Sequence, residues 1–188
     1  SPRYDGKPYE VGPLARLLVA YSQGHSAVKR AVDGLLSELK AKPDALFSVL
    51  GRHAARALDA KLIADAMADW VLELKPGEPV FQPYELPEES AGAGMVDGPR
   101  GALGHWVAVK NSVISRYQAV VPTTWNGSPR DDADVPGPIE QAIIGTKVKD
   151  AQNPFEIVRI VRSFDPCLAC SVHLVTPKRR SVSASRVF

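Results

Sequence analysis

Ser163-Phe164-Asp165-Pro166-Cys167-Leu168-Ala169-Cys170-Ser171-Val172-His173 holds both cysteines of the 188-residue chain, spaced C-x-x-C, with an acid two residues before the pair and a histidine three residues after it. A C-x-x-C turn aims two thiolates at one point, as soft-metal binding and dithiol redox chemistry both require. One pair cannot close a tetrahedral site, so a metal here needs ligands from elsewhere. Such pairs also occur as inert core residues or as a lone redox couple. A thioredoxin-like pair would sit early, after a strand and opening a helix. This one follows the helical pattern of Pro154–Val161, and only a short tail comes after it. A structural zinc site would want a second C-x-x-C or a histidine pair at ligand spacing, and His25, His53 and His105 are scattered singly. Spacing alone leaves metal and non-metal roles open.

Composition narrows the class. A hydrophobic content of 45% is ordinary for a chain that buries a core. A net charge of +2 is too small to argue for nucleic acid or an anionic membrane as partner. No apolar run approaches the ~20 residues that span a bilayer as a helix. Two neighbouring cysteines make no disulfide framework.

Period and punctuation predict a mostly helical α+β fold: helical bundle segments plus a β-hairpin or small sheet. Residues 1–12 are turn-rich. Pro13 suits a first helical position, and Leu14, Leu17, Leu18 and Tyr21 follow at helical spacing to a stop near Gly24. Ser26–Leu39 reads as a second helix. His53–Leu74 reads as a third, with a core stripe of Ala55, Leu58, Leu62, Ala66, Trp70 and Leu74. Pro76–Gly94 reads as a breaker-rich connection with a solvated Glu88-Glu89 pair. His105–Val109 and Val113–Val121 read as strands joined by a turn at Lys110-Asn111-Ser112. Thr123–Pro138 reads as a loop, Ile139–Ile144 as a short helix, and a last helix runs from Asn153 or Pro154 to about Arg162.

The cysteine turn resembles the C-terminal nickel motif, D-P-C-x-x-C-x-x-H, of the large subunit of nickel–iron hydrogenases. Further motifs follow the same family in order: Ser1–Arg16, Leu46–Arg52 with Ala54–Ala57, Gly98-Pro99-Arg100-Gly101-Ala102-Leu103-Gly104-His105-Trp106, and Val121-Pro122-Thr123-Thr124-Trp125-Asn126 with Ser128-Pro129-Arg130-Asp131. The resemblance thus runs over most of the chain. It implies the fold of the C-terminal part of that subunit and a nickel–iron centre whose iron carries carbon monoxide and cyanide.

The same resemblance implies residue roles. Cys167 becomes a terminal nickel ligand and Cys170 a bridge between nickel and iron. Arg100, next to Pro99, is expected to project over the centre and to act on dihydrogen or a cyanide; an isolated arginine is otherwise most often a surface ion-pair partner. Arginine side chains in general stay protonated and so carry protons poorly. Asp165, otherwise a turn former before proline, is expected to pair with Arg100 and fix its head group. Pro122 and Thr123 match positions that hydrogen-bond the second cyanide. His173 and the backbone carbonyl of Ala119 match ligands of a magnesium ion, an imidazole being unusual for that metal.

Residues 1–173 are accordingly expected to be the large-subunit part and residues 174–188 a maturation extension that a dedicated endopeptidase removes after His173. Lys178-Arg179-Arg180 and neighbouring serines make that tail basic and weakly apolar. Large subunits of the family also carry an N-terminal R-x-C-G-x-C motif with the other two thiolates. None occurs in this chain, which starts at Ser1, so a missing N-terminal part of the large subunit is an expected partner. A small subunit carrying iron–sulfur clusters is another, because electrons need a way out and no cluster-type cysteine set is present. Dihydrogen is the expected substrate. The match around Thr124–Asp131 is closer to exported, periplasmic or membrane-associated members than to cytoplasmic ones. The alternative is a split or truncated, non-catalytic structural or assembly piece. The catalytic reading predicts that the 188-residue chain alone retains substoichiometric nickel and shows no infrared bands of metal-bound carbon monoxide or cyanide. Stoichiometric nickel with those bands would contradict it.

Overall fold

The computed structural model describes residues 1–85 and 87–167, with the backbone of two short strands beyond them. Helix α1 (Pro13–Ser22) begins at a proline, which gives up no hydrogen bond at a first helical position. Helix α2 is Ser26–Glu38, with His25 as its N-cap. Helix α3 is Val49–Glu73, capped by the Ser48 hydroxyl, which accepts from the Gly51 amide at 3.0 Å. A 3-10 turn, Pro43–Leu46, joins α2 to α3. Leu14 and Leu17 of α1 meet Val28, Val32 and Leu36 of α2, with Leu46 and Ala55 completing the buried core and Leu58 and Leu62 at its edge.

The apolar stripe expected along α3 is only half covered. Ala55 is 2% exposed, but Trp70 and Leu74 are 53% and 72% exposed. Helical period identifies the element; it does not establish that a neighbour covers its far end.

A three-stranded antiparallel sheet follows, in the order β1 (Glu89–Gly98), β2 (Gly101–Lys110), β3 (Val113–Val120). Strand β1 corrects the reading of Pro76–Gly94 as connection throughout: residues from Glu89 on pair with β2, Glu89 lying opposite Lys110. Side chains of β1 are exposed from Glu89 to Asp97. Its Gly- and Ala-rich sequence therefore has no buried face to impose alternation, and ladder pairing with β2 makes the strand. Asn111 and Ser112 join β2 to β3 with φ of 54° and 58°, the left-handed pair of a tight hairpin turn. The first hairpin closes at Pro99-Arg100, between the opposed Gly98 and Gly101. That tip end rests on the helices, with Gly101 and Gly104 buried.

Helix α4 (Pro122–Asn126) overlaps the start of the stretch expected to be loop from Thr123. Its last residue, Asn126, is 2% exposed and clamps the backbone of Val11 from both sides: its Oδ1 accepts from the Val11 amide, and its Nδ2 donates to the Val11 carbonyl, each at 2.9 Å. Helix α5 is Pro138–Ile143 and α6 is Phe155–Ser163, which packs on α3 and α5. Two-residue strands β4 (His173–Leu174) and β5 (Ser183–Ala184) pair antiparallel. No helix among the described residues is long and apolar enough to cross a membrane.

Asn126→Ala removes both clamp bonds and leaves two half-buried backbone groups unpaired. Chemical denaturation is expected to show a loss of about 2 kcal/mol. A change within about 0.5 kcal/mol, the usual range for surface substitutions, would mean that the clamp is not holding residues 1–12 in place.

Candidate functional site: a loop cluster held by α1 and α3

Arg100 and Asp165 come together from distant parts of the sequence. Arg100 sits at the β1–β2 hairpin tip, and its Nε lies 3.1 Å from the Asp165 carboxylate. Asp165 follows the end of α6 with φ of 52°, a left-handed conformation that turns the chain out of the helix. Two residues later, Cys167 is exposed and its thiol is free. The Cys167 amide donates to the Thr123 hydroxyl at 3.1 Å, tying the cysteine turn to the start of α4. Pro122 is the first residue of that helix.

The sites named from sequence divide into two groups. Arg100, Asp165, Cys167 and Thr123 form one connected set, with Pro99 and Pro122 beside it in the chain. Ala119 lies on β3 opposite His105, and its carbonyl accepts from the Gln118 side-chain amide at 2.9 Å. Cys170 and the side chain of His173 lie outside the described residues.

Motif reading missed the side chains that hold this set. Arg16 on α1 is bidentate to Asp59 on α3, at 3.2 and 3.1 Å. It also contacts Asp97 at 2.7 Å and donates to the carbonyls of Gly98 and Pro99 at 3.0 and 3.4 Å. Burial alone would push the Arg16 guanidinium down, but hydrogen bonds and charge from Asp59 and Asp97 outweigh it and raise its pKa above the ordinary arginine value. Arg56 donates to the Ser163 carbonyl at 2.9 Å, and its Nε lies 3.9 Å from the Asp165 carboxylate. Arg52 is bidentate to Glu10, both bonds 2.7 Å, and stacks its guanidinium 3.9 Å from the centre of the Phe164 ring.

Backbone crossing completes the hold on Arg100. Gly12 and Gly101 have φ of 129° and 127°, in a region that side chains disfavour. A Cβ on Gly101 would fall 2.6 Å from the Gly12 nitrogen. Only two glycines let the α1 start and the hairpin tip pass this closely.

Donor chemistry suits a soft or borderline metal. Cys167 presents a thiol at the surface, beside a fixed guanidinium–carboxylate pair in the same loop set. No group of three or more His, Cys, Asp or Glu side chains among the described residues converges on a metal-sized point. Cys167 can therefore hold a metal only with ligands from elsewhere.

Fold and site together define a helical α+β chain in which the Arg100–Asp165 pair, Thr123 and the free thiol of Cys167 belong to one loop set. The sequence profile of the nickel-dependent hydrogenases matches residues 1–173, and the chain belongs to that family. It is 42% identical over 193 residues to the quinone-reactive Ni/Fe-hydrogenase large chain of Wolinella succinogenes, covering 100% of this chain and 34% of that one. The periplasmic NiFeSe hydrogenase large subunit of Desulfomicrobium baculatum is 40% identical over 179 residues, or 93% of this chain and 35% of that one. Among solved structures, the reduced Ni-Fe-Se hydrogenase from D. vulgaris Hildenborough superposes with a TM-score of 0.77 at 40% identity, covering 90% of this chain and 36% of that one. The chain thus spans about a third of the length of the curated relatives it matches.

Burial separates two ion pairs in energy. Asp59→Ala leaves Arg16 partly buried with Asp97 as its remaining carboxylate, and a loss of about 3 kcal/mol is expected. Asp165→Asn weakens a pair whose side chains are 44% and 36% exposed, and a loss of less than about 1 kcal/mol is expected. Urea unfolding of the two variants checks the order. Equal losses would contradict it.

Proposed function

We propose that this chain is the C-terminal part of a hydrogenase large subunit that catalyses the reversible oxidation of dihydrogen to protons and electrons. Family membership over residues 1–173 supports this reading, and one observation carries it to the residue level. The Arg100–Asp165 ion pair stands in the same loop set as the free thiol of Cys167. Cys167 and Cys170 would hold a nickel–iron group, with the remaining thiolates coming from an N-terminal part of the large subunit. When bound, that group supplies Lewis-acid polarisation of dihydrogen and a place for its electrons.

The chain's own residues have separable tasks. The Cys167 sulfur takes the proton from dihydrogen as a thiolate base. The Arg100 guanidinium stands ready with fixed charge and planar donors, held at Nε by Asp165. Since arginine keeps its proton, Arg100 orients and polarises instead of carrying the proton away. Thr123 accepts the Cys167 amide, and its own hydroxyl proton would stay available, beside Pro122, to a cyanide of the bound group. The Ala119 carbonyl has a second lone pair beyond its bond from Gln118, which together with His173 would serve a magnesium ion.

Electrons leave through a small subunit carrying iron–sulfur clusters. The enzyme works in the periplasm or at a membrane-associated site, a reading supported by a periplasmic relative from D. baculatum and a quinone-reactive one from W. succinogenes. Residues 174–188 form an extension that a maturation endopeptidase removes after His173.

In the complete enzyme, Cys167→Ala is expected to abolish both activity and nickel retention. Arg100→Lys keeps the charge but loses the planar fork; metal content should stay normal while turnover falls at least ~10²-fold. Normal turnover in fully metallated Arg100→Lys enzyme would sink the assignment of Arg100.

Intact-mass analysis tests the extension. Active enzyme is expected to end at His173, and a nickel-loaded, functional subunit still carrying Phe188 would show that the tail is ordinary C-terminal sequence.

A further inference from the structure

We propose that Arg16, remote in sequence from the cysteine turn, is a positioning residue for Arg100 in dihydrogen turnover. This rests on the role assigned to Arg100 above. Arg16 anchors the hairpin tip by its backbone. Its guanidinium donates to two successive carbonyls, Gly98 at 3.0 Å and Pro99 at 3.4 Å, immediately before Arg100. Its other contacts are carboxylates: Asp59 through two bonds at 3.2 and 3.1 Å, and Asp97 at 2.7 Å. Asp59 is only 8% exposed and lies on α3, so the arginine is itself held from the core side.

The geometry requires an arginine. Five donors in a fixed plane reach two carbonyls and two carboxylates at once, which a lysine ammonium with three donors cannot match. The other flank of Arg100 is also held by α1. Gly101 crosses Gly12 so closely that a Cβ on Gly12 would lie 3.1 Å from the Arg100 carbonyl. With backbone fixed before and after it, Arg100 has only its side-chain torsions to order, and Asp165 orders those through Nε. Arg16 therefore sets where the Arg100 guanidinium stands relative to the Cys167 turn, and reactions that depend on orientation are sensitive to shifts of about 1 Å.

Loss of Arg16 alone would leave Asp59 without its partner, so two variants are needed. Arg16→Lys keeps the charge. Arg16→Gln combined with Asp59→Asn makes the pair neutral and spares the fold an unpaired carboxylate. Each is made in the assembled hydrogenase, with and without Arg100→Lys. Nickel content, turnover, and hydrogen exchange of the 98–101 peptide are measured.

The expected result is full nickel content, exchange at residues 98–101 faster by about 10-fold or more, and turnover lower by ~10-fold to 10²-fold. In the Arg100→Lys background, changing Arg16 should cost nothing further, because its effect passes through Arg100. Losses that multiply in the combined variants would overturn the proposal, as would unchanged exchange at the tip or loss of nickel from both Arg16 variants. Normal turnover of Arg100→Lys alone would instead remove the role of Arg100 and the proposal with it, while the exchange data would still report the hold of Arg16 on the tip.

Discussion

One edge of α3 carries the arrangement. Arg52, Arg56 and Asp59 fall at i, i+4 and i+7, a single face of a helix. Together they hold the N-terminal segment, the end of α6 and the hairpin tip. Arg52 takes Glu10 and the Phe164 ring, Arg56 takes the Ser163 carbonyl, and Asp59 takes Arg16, which in turn takes the hairpin tip. Loops that supply chemistry need such a scaffold, because their own backbone has no ladder to fix it. A turn after α6 and a turn between β1 and β2 become one site because the same helix face grips both.

The division between hidden and exposed charge follows. Asp59 is nearly buried and fully engaged, so its pair with Arg16 belongs to the fold. Arg100 and Asp165 are more than a third exposed, so their attraction is screened and contributes little to stability. Their pair is better understood as orientation, with the Asp165 carboxylate 3.1 Å from the Arg100 Nε. The fold thus places its strong pairs behind the tip and its weak pair in front.

Local pattern made much of the chain legible. Helical spacing marked α1, α2, α3 and α6 to within a few residues at their starts and ends, because each has an apolar face that the period exposes. Strand β1 was not legible, since Glu89–Asp97 has no buried face to pattern. The far half of α3 was read as covered when Trp70 and Leu74 are exposed, because period reports a stripe and not its partner. Motifs named Arg100, Asp165, Cys167 and Thr123, all within short, turn-rich signatures. They could not name Arg16, Arg56, Asp59 or Asn126 as supports. The partners of these residues lie 43 to 115 positions away, and nothing local marks such pairs. Gly12 and Gly101 were the one available hint, since positive φ and close backbone approach are needs that glycine meets.

Helices α1 and α3 bring the hairpin tip and Cys167 into one loop set, where the proposed metal centre would stand. Anomalous diffraction at the nickel edge, on crystals of the mature enzyme containing this chain, tests it most directly. The account predicts nickel bonded to the Cys167 sulfur, with Arg100 still paired to Asp165 directly above it. Nickel located away from Cys167, or Arg100 turned out of the centre with its hold on Asp165 broken, would contradict it.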